Sequence, residues 1–145
     1  MTATRRLSWN YALDRAVEWA LELGLPLVIF EPLRAGYRWA SDRHHQSIID
    51  GMADNARRLA RSSVTYYPYV EPQPGEGRGL LSSLSQRAGC VITDQSPVFF
   101  QSRLLEAGTR AVHCRLEAVD SVGLLPLAAA GRTFSAAYHF RRYLQ

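Results

Sequence analysis

Cys90-Val91-Ile92-Thr93-Asp94-Gln95-Ser96-Pro97 is an apolar, β-branched run that ends in a polar tip before Ser-Pro opens a new element. A buried parallel strand hands over to a helix in this way. Ser96 is placed to cap the orphan N–H groups of that helix, and Pro97 suits its first position. In an open α/β sheet, ligands bind at the carboxyl ends of the strands. Asp94 and Ser96 therefore stand where a site would lie.

The flanking segments extend the pattern. Apolar positions Leu13, Ala16, Val17, Ala20 and Leu21 recur at helical spacing and predict a helix over 9–23, ended by Gly24 and Pro26. Residues 26–30 are apolar throughout, as in a strand covered on both faces, and 31–40 read as a loop. A helix over 41–61 presents Ile48, Ile49, Met52, Ala56, Leu59 and Ala60. A strand follows at 64–70, where Pro68 argues for an edge strand or a bulge. Helices over 79–88, 97–107 and 134–144 and strands over 90–93 and 112–119 complete the order.

Strict alternation of helix and strand implies a parallel sheet between two helical layers, with right-handed crossovers. The expected fold is α/β: one domain over residues 1–145, a three-layer, doubly wound, Rossmann-like parallel sheet. The chain opens with a helix, so only Met1–Thr4 is left for the central first strand, which is truncated.

A chain of 145 residues is long enough for one domain with a core. No apolar run approaches the roughly 20 residues that span a bilayer, and no apolar segment of signal-peptide length follows the N-terminus. The two cysteines, Cys90 and Cys114, fall in strand-like runs and read as buried free thiols of a reducing, cytoplasmic compartment. The net charge is +4, and all 17 cations are arginine. The lack of lysine removes P-loop, Schiff-base and lysine-base chemistries. The arginine clusters at 5–6, 57–61 and 141–142 are spread along the chain, which favours a solvated surface over a nucleic-acid groove.

Other chemistries are thinly supported. His44 and His45 are adjacent, so on a helix they point about 100° apart and cannot chelate one metal together. No G-x-S-x-G elbow exists. Gly75-x-Gly77-x-Gly79 lacks the spacing of a dinucleotide loop and reads as a flexible surface loop. Trp9, Trp19 and Trp39 read as core and interface aromatics. Tyr66, Tyr67 and Tyr69 alternate on a strand, with Tyr67 facing away from the other two.

Four segments in register carry a resemblance over essentially the whole chain. Arg5-Arg6-Leu7-Ser8-Trp9-Asn10-Tyr11-Ala12-Leu13 resembles the opening of the photolyase/cryptochrome family, where the first strand runs into an arginine-bearing turn and an Asn-x-Ala-Leu helix start. Ala40-Ser41-Asp42-Arg43, with the helix through Gly51-Met52, resembles its third element. Val91-Ile92-Thr93-Asp94-Gln95-Ser96-Pro97 resembles the V-x-T-D-x-S-P segment of the class II branch. The stretch from Leu116 through Val119-Asp120 to Pro126-Leu127 resembles that branch's V-D-x-x-x-x-x-P segment. Tyr138-His139-Phe140-Arg141-Arg142 falls at its arginine-rich exit. Trp9 departs from the acidic residue usual before the asparagine.

The resemblance implies the N-terminal antenna-type domain of a class II-like deoxyribodipyrimidine photolyase. It holds a deazaflavin or folate chromophore in some members and is structural in others. FAD and damaged DNA are expected on a separate helical domain, in cis or as another chain, with no membrane contact. The residues carried over as cofactor-binding candidates are Arg6, Asn10, Asp94 and Ser96. Asn10 and Ser96 also suit helix capping, and Asp94 a local turn. A stand-alone nucleotide-binding or protein-interaction domain without enzymatic activity is the alternative, and the nucleotide version would need a phosphate-binding glycine loop.

Overall fold

The structure is a computed structural model, and it describes residues 1–96, 101–121, 123 and 125–145. Its elements run α1 (Tyr11–Leu23), β1 (Val28–Leu33), α2 (Asp42–Leu59), β2 (Thr65–Val70), α3 (Leu80–Ser85), β3 (Cys90–Asp94), α4 (Gln101–Ala111), β4 (Arg115–Val119), a 3-10 turn (Leu127–Ala130) and α5 (Ala137–Leu144). The order is the expected alternation. The expected helix start at 97 and the role of Pro97 lie outside the described residues.

β1 pairs in parallel with β2, from Val28↔Thr65 to Leu33↔Val70. β3 pairs in parallel with β4, from Cys90↔Arg115 to Asp94↔Val119. The two pairs are separate two-stranded sheets, so the parallel sheet is split. Residues 1–4 bridge the split. The Met1 amino group donates to the Phe30 carbonyl on β1. The N–H groups of Thr2, Ala3 and Thr4 donate to Asp94 at the end of β3. Residues 1–4 are held there by the Met1 amino group and the Asp94 carboxylate rather than by a strand ladder.

α1 packs on β3 and β4, α2 on β1 and β2, and α4 on β4 and α3. Ser41 caps α2 by accepting from the His44 N–H at 3.3 Å. Gly24 ends α1 in a left-handed conformation (φ +63°), its N–H turned back toward Leu21. Pro68 sits on β2, whose only described partner strand is β1.

Helix faces differ from expectation in detail. On α1, Val17 and Leu21 are exposed and Ala12 is buried. On α2, Ala56 and Ala60 are exposed, and Asn55 takes the buried place one turn from Met52 because Glu31 draws its amide inward. The tryptophans are not core: Trp9 is 81% and Trp39 58% exposed. Trp19 is half-buried, with the guanidinium carbons of Arg15 and Arg115 each 5.0 Å from its ring centre. Period-two alternation sets Tyr66 toward Glu31 and Tyr67 toward Phe30 on the opposite face, so Tyr67 does not stand apart from Tyr69.

The apolar core is thin. Only Ala12, Ile29, Leu33 and Met52 are buried among the described apolar residues, against nine buried polar ones. Much of the fold's specificity therefore rests on buried hydrogen bonds.

Candidate functional site

Thr4 is the centre of the site region. It is 4% exposed, and its backbone is held on both sides. Its N–H donates to Asp94 Oδ2 at 3.1 Å, and its carbonyl accepts from Asn10 Nδ2 at 3.3 Å. Its hydroxyl donates to the Ser121 carbonyl at 3.4 Å. Two of the four expected site residues, Asn10 and Asp94, thus meet on one residue, Thr4, through its two flanking peptide groups.

Asn10 caps α1. Its Oδ1 accepts from the Leu13 N–H at 3.1 Å, and its Nδ2 also donates to the Arg6 carbonyl at 2.9 Å. At 2% exposure, with both ends of the amide engaged, it acts as a clamp. Arg6 is exposed, and its Nε and NH2 donate to the Trp9 carbonyl at 3.1 and 2.9 Å. That bond closes the turn at Trp9, which is left-handed (φ 53°). No described contact joins Arg6 to Asp94 or Ser96.

Asp94 divides its two oxygens. Oδ2 takes three backbone N–H groups at 3.0–3.2 Å, while Oδ1 is buried and has no partner among the described residues. Ser96, 6% exposed, likewise has a buried Oγ with no partner among the described residues. Buried polar atoms are nearly always paired, so each such atom invites an explanation. These two lie two residues apart at the carboxyl end of β3 and are able to bond a polar ligand edge.

Sequence reasoning missed a buried charge cluster beside this region. Glu31 is 1% exposed. Its Oε1 faces Arg5 NH1 at 3.0 Å; its Oε2 accepts from Tyr66 at 2.6 Å and from Asn55 Nδ2 at 3.1 Å. Arg5 also reaches the Pro32 carbonyl at 2.7 Å, and Asn55 the Arg5 carbonyl at 3.0 Å. Burial, then the bond to Glu31, pushes the Tyr66 phenol above its usual range. The only sequence signal was a carboxylate directly after the apolar run at Val28–Phe30.

The glycine loop is ordered around the chain's own anion. Glu71, at the end of β2, accepts from the N–H groups of Ala35 at 2.9 Å, Gly75 at 2.9 Å and Gly77 at 3.2 Å. The Ala35 bond leads in holding this carboxyl below its usual range. Gly75 needs its positive φ of 97° for that turn. A Cβ on Gly77 would lie 3.1 Å from the Tyr69 ring. Donors that would cradle a phosphate are already used by a carboxylate.

Next to Glu71, a cleft of about 280 Å³ opens at the carboxyl ends of β1 and β2. Arg34, Ser41, Asp42 and His45 line it, together with Leu33 and Val70. His45 Nε2 is buried without a partner among the described residues. Among the described residues no cluster of His, Cys, Asp and Glu suits a metal ion, and no helix is long and apolar enough to cross a membrane. Cys90 and Cys114 are half-buried free thiols, both raised by burial.

No protein-family model matches the chain. It is similar to a deoxyribodipyrimidine photo-lyase of Methanothermobacter thermautotrophicus, with 26% identity over 130 residues. The matched part is 90% of this chain and 28% of that relative, so the chain spans less than a third of the relative's length. This likeness, over an α/β fold of parallel strand pairs, supports a relationship with the photolyase family.

Proposed function

We propose that this chain is the N-terminal α/β domain of a class II-like, light-dependent DNA-repair flavoprotein, serving as antenna seat or scaffold. The observation that carries this reading is a likeness across 90% of the chain that accounts for only 28% of the relative. In this reading, FAD and the damaged DNA belong to a helical domain outside the matched part. The chain's own share is to hold an antenna chromophore, a deazaflavin or folate, or to brace that domain.

The residues present fit a chromophore in one respect. Asp94 Oδ1 and Ser96 Oγ are buried, polar and without partners among the described residues. They are able to bond the polar edge of a heterocyclic ring, which when bound would absorb light. Asp94 also binds the backbone of residues 2–4, so it would join the ring to the N-terminal segment beside β3. Asn10 and Arg6 support the turn before α1 rather than face such a ring.

The alternative of a stand-alone nucleotide-binding domain would need a phosphate-binding glycine loop, and Glu71 occupies the loop at 71–79. The carboxylate already takes the glycine-loop N–H groups that a phosphate would need.

The test is the absorbance spectrum of the protein in its natural reading frame, followed by titration of a deazaflavin and of a folate. Flavin bands that bleach and recover with light and reductant are expected. Saturable binding weakened by Asp94→Asn assigns the antenna role; a spectrum with FAD alone assigns the scaffold role. A colourless, folded full-frame protein overturns the photolyase reading.

A further inference from the structure

Positive charge is unevenly distributed along the chain. Residues 121–145 hold Arg132, Arg141 and Arg142 and no Asp or Glu, whereas residues 1–120 set 14 arginines against all 13 acidic residues. Most of the net charge of +4 therefore lies in the last 25 residues.

The fold gathers part of that excess with aromatic rings. Arg132, His139 and Arg142 line an open groove of about 370 Å³ together with Phe134 and Tyr143. No carboxylate is among the described residues that line it. The Arg132 guanidinium carbon lies 4.9 Å from the ring centre of Phe134 and 5.4 Å from that of Tyr143. Phe134 packs in turn on Tyr143 and Phe140, with ring centres 5.3 and 5.2 Å apart. The Tyr143 hydroxyl donates to the Ala129 carbonyl at 3.2 Å. The groove is thus a small built unit, with α5 folded back on the segment before it. Tyr138 stands beside it, 54% exposed, with His139 against one face at 3.9 Å.

We infer that this groove binds single-stranded nucleic acid, with Arg132 and Arg142 on phosphates and a base against the exposed ring of Tyr138. A positive groove with stacking aromatics is the arrangement that holds single strands without reading sequence. The planar guanidinium matches phosphate oxygens in a fork. An acidic protein segment would satisfy the charges but leave the exposed ring without a stacking partner, so the nucleic acid is the better match. The groove pairs Arg132 with Arg142, a combination outside the linear arginine clusters at 5–6, 57–61 and 141–142. The inference stands apart from the chromophore reading, because none of its residues touches Asp94 or Ser96.

The test uses the full chain and a labelled single-stranded oligonucleotide of about 12 nucleotides, followed by fluorescence anisotropy at about 50 mM salt and above. Arg132→Gln with Arg142→Gln is expected to weaken binding at least tenfold and to lower the salt slope by about 1.4. Tyr138→Ser is expected to weaken it about tenfold. Arg58→Gln with Arg61→Gln, which removes equal charge from α2 and its C-terminal flank, is expected to leave it unchanged. Circular dichroism confirms that each variant is folded. Equal loss in the α2 control, no binding by the wild type, or equally tight binding of a polyglutamate peptide overturns the inference. The last result assigns the groove to an acidic protein partner.

Discussion

Arg5 NH1 lies 3.0 Å from Glu31 Oε1, and that carboxylate is almost wholly out of solvent. The pair ties the residues in place of the first strand to β1. Asn55 from α2 and Tyr66 from β2 close the other oxygen. A cluster satisfied on every side holds four segments where apolar packing is scarce.

Removing one partner is therefore worse than removing both. Arg5→Ala leaves a buried carboxylate without its cation, and a cost of about 3 kcal/mol is expected. The double variant Arg5→Met with Glu31→Gln is expected to recover about half of that. Urea unfolding of these variants, with Arg5→Met and Glu31→Gln alone, checks this; additive losses would show that the charges do not act as a pair.

Tyr66 gives the cluster a signature at high pH. Its phenol stays protonated in the fold above the usual range of about 10. The unfolded chain loses that proton first, so stability falls as pH rises past about 10. Tyr66→Phe is expected to flatten this slope, read from melting temperatures across pH 8–11. An unchanged slope would assign it to another group.

Glu71 acts with the opposite sign. Its folded carboxyl sits below the usual range, so it stabilises the fold above the unfolded value and the benefit fades as pH falls through the folded one. Glu71→Gln is expected to loosen the loops at 33–36 and 71–79 and to remove that acid dependence. Hydrogen exchange at Ala35, Gly75 and Gly77 reports it directly; protection that survives the substitution would contradict the cradle.

Asn10→Ala removes the α1 cap and the grip on the Thr4 carbonyl, with an expected cost of about 2 kcal/mol. Asn10→Asp keeps the cap oxygen but loses the Nδ2 donor, so an intermediate cost is expected. Equal stability of Asn10→Asp and the wild type would show that the cap is the whole contribution.

Trp9→Gly tests the strained turn. The ring is 81% exposed, so little burial is lost, and glycine relieves the left-handed backbone. Unchanged stability or a gain of up to about 1 kcal/mol is expected in thermal unfolding. A clear loss would assign the indole a packing role.

The alternation of helices and parallel strands was legible in the sequence, because apolar periodicity, glycine stops and proline positions act within a few residues. So were the cap at Asn10 and the edge position of Pro68. What only the tertiary structure decided is how buried polar groups find one another. Glu31 meets Arg5, Asn55 and Tyr66 from distant segments. Glu71 fills a glycine loop that in sequence reads as flexible or phosphate-binding. Asp94 uses one oxygen to anchor residues 2–4 and leaves the other without a described partner. Local pattern specifies which face of an element is apolar; the partner of a buried charge depends on three-dimensional register, which no short stretch of sequence encodes.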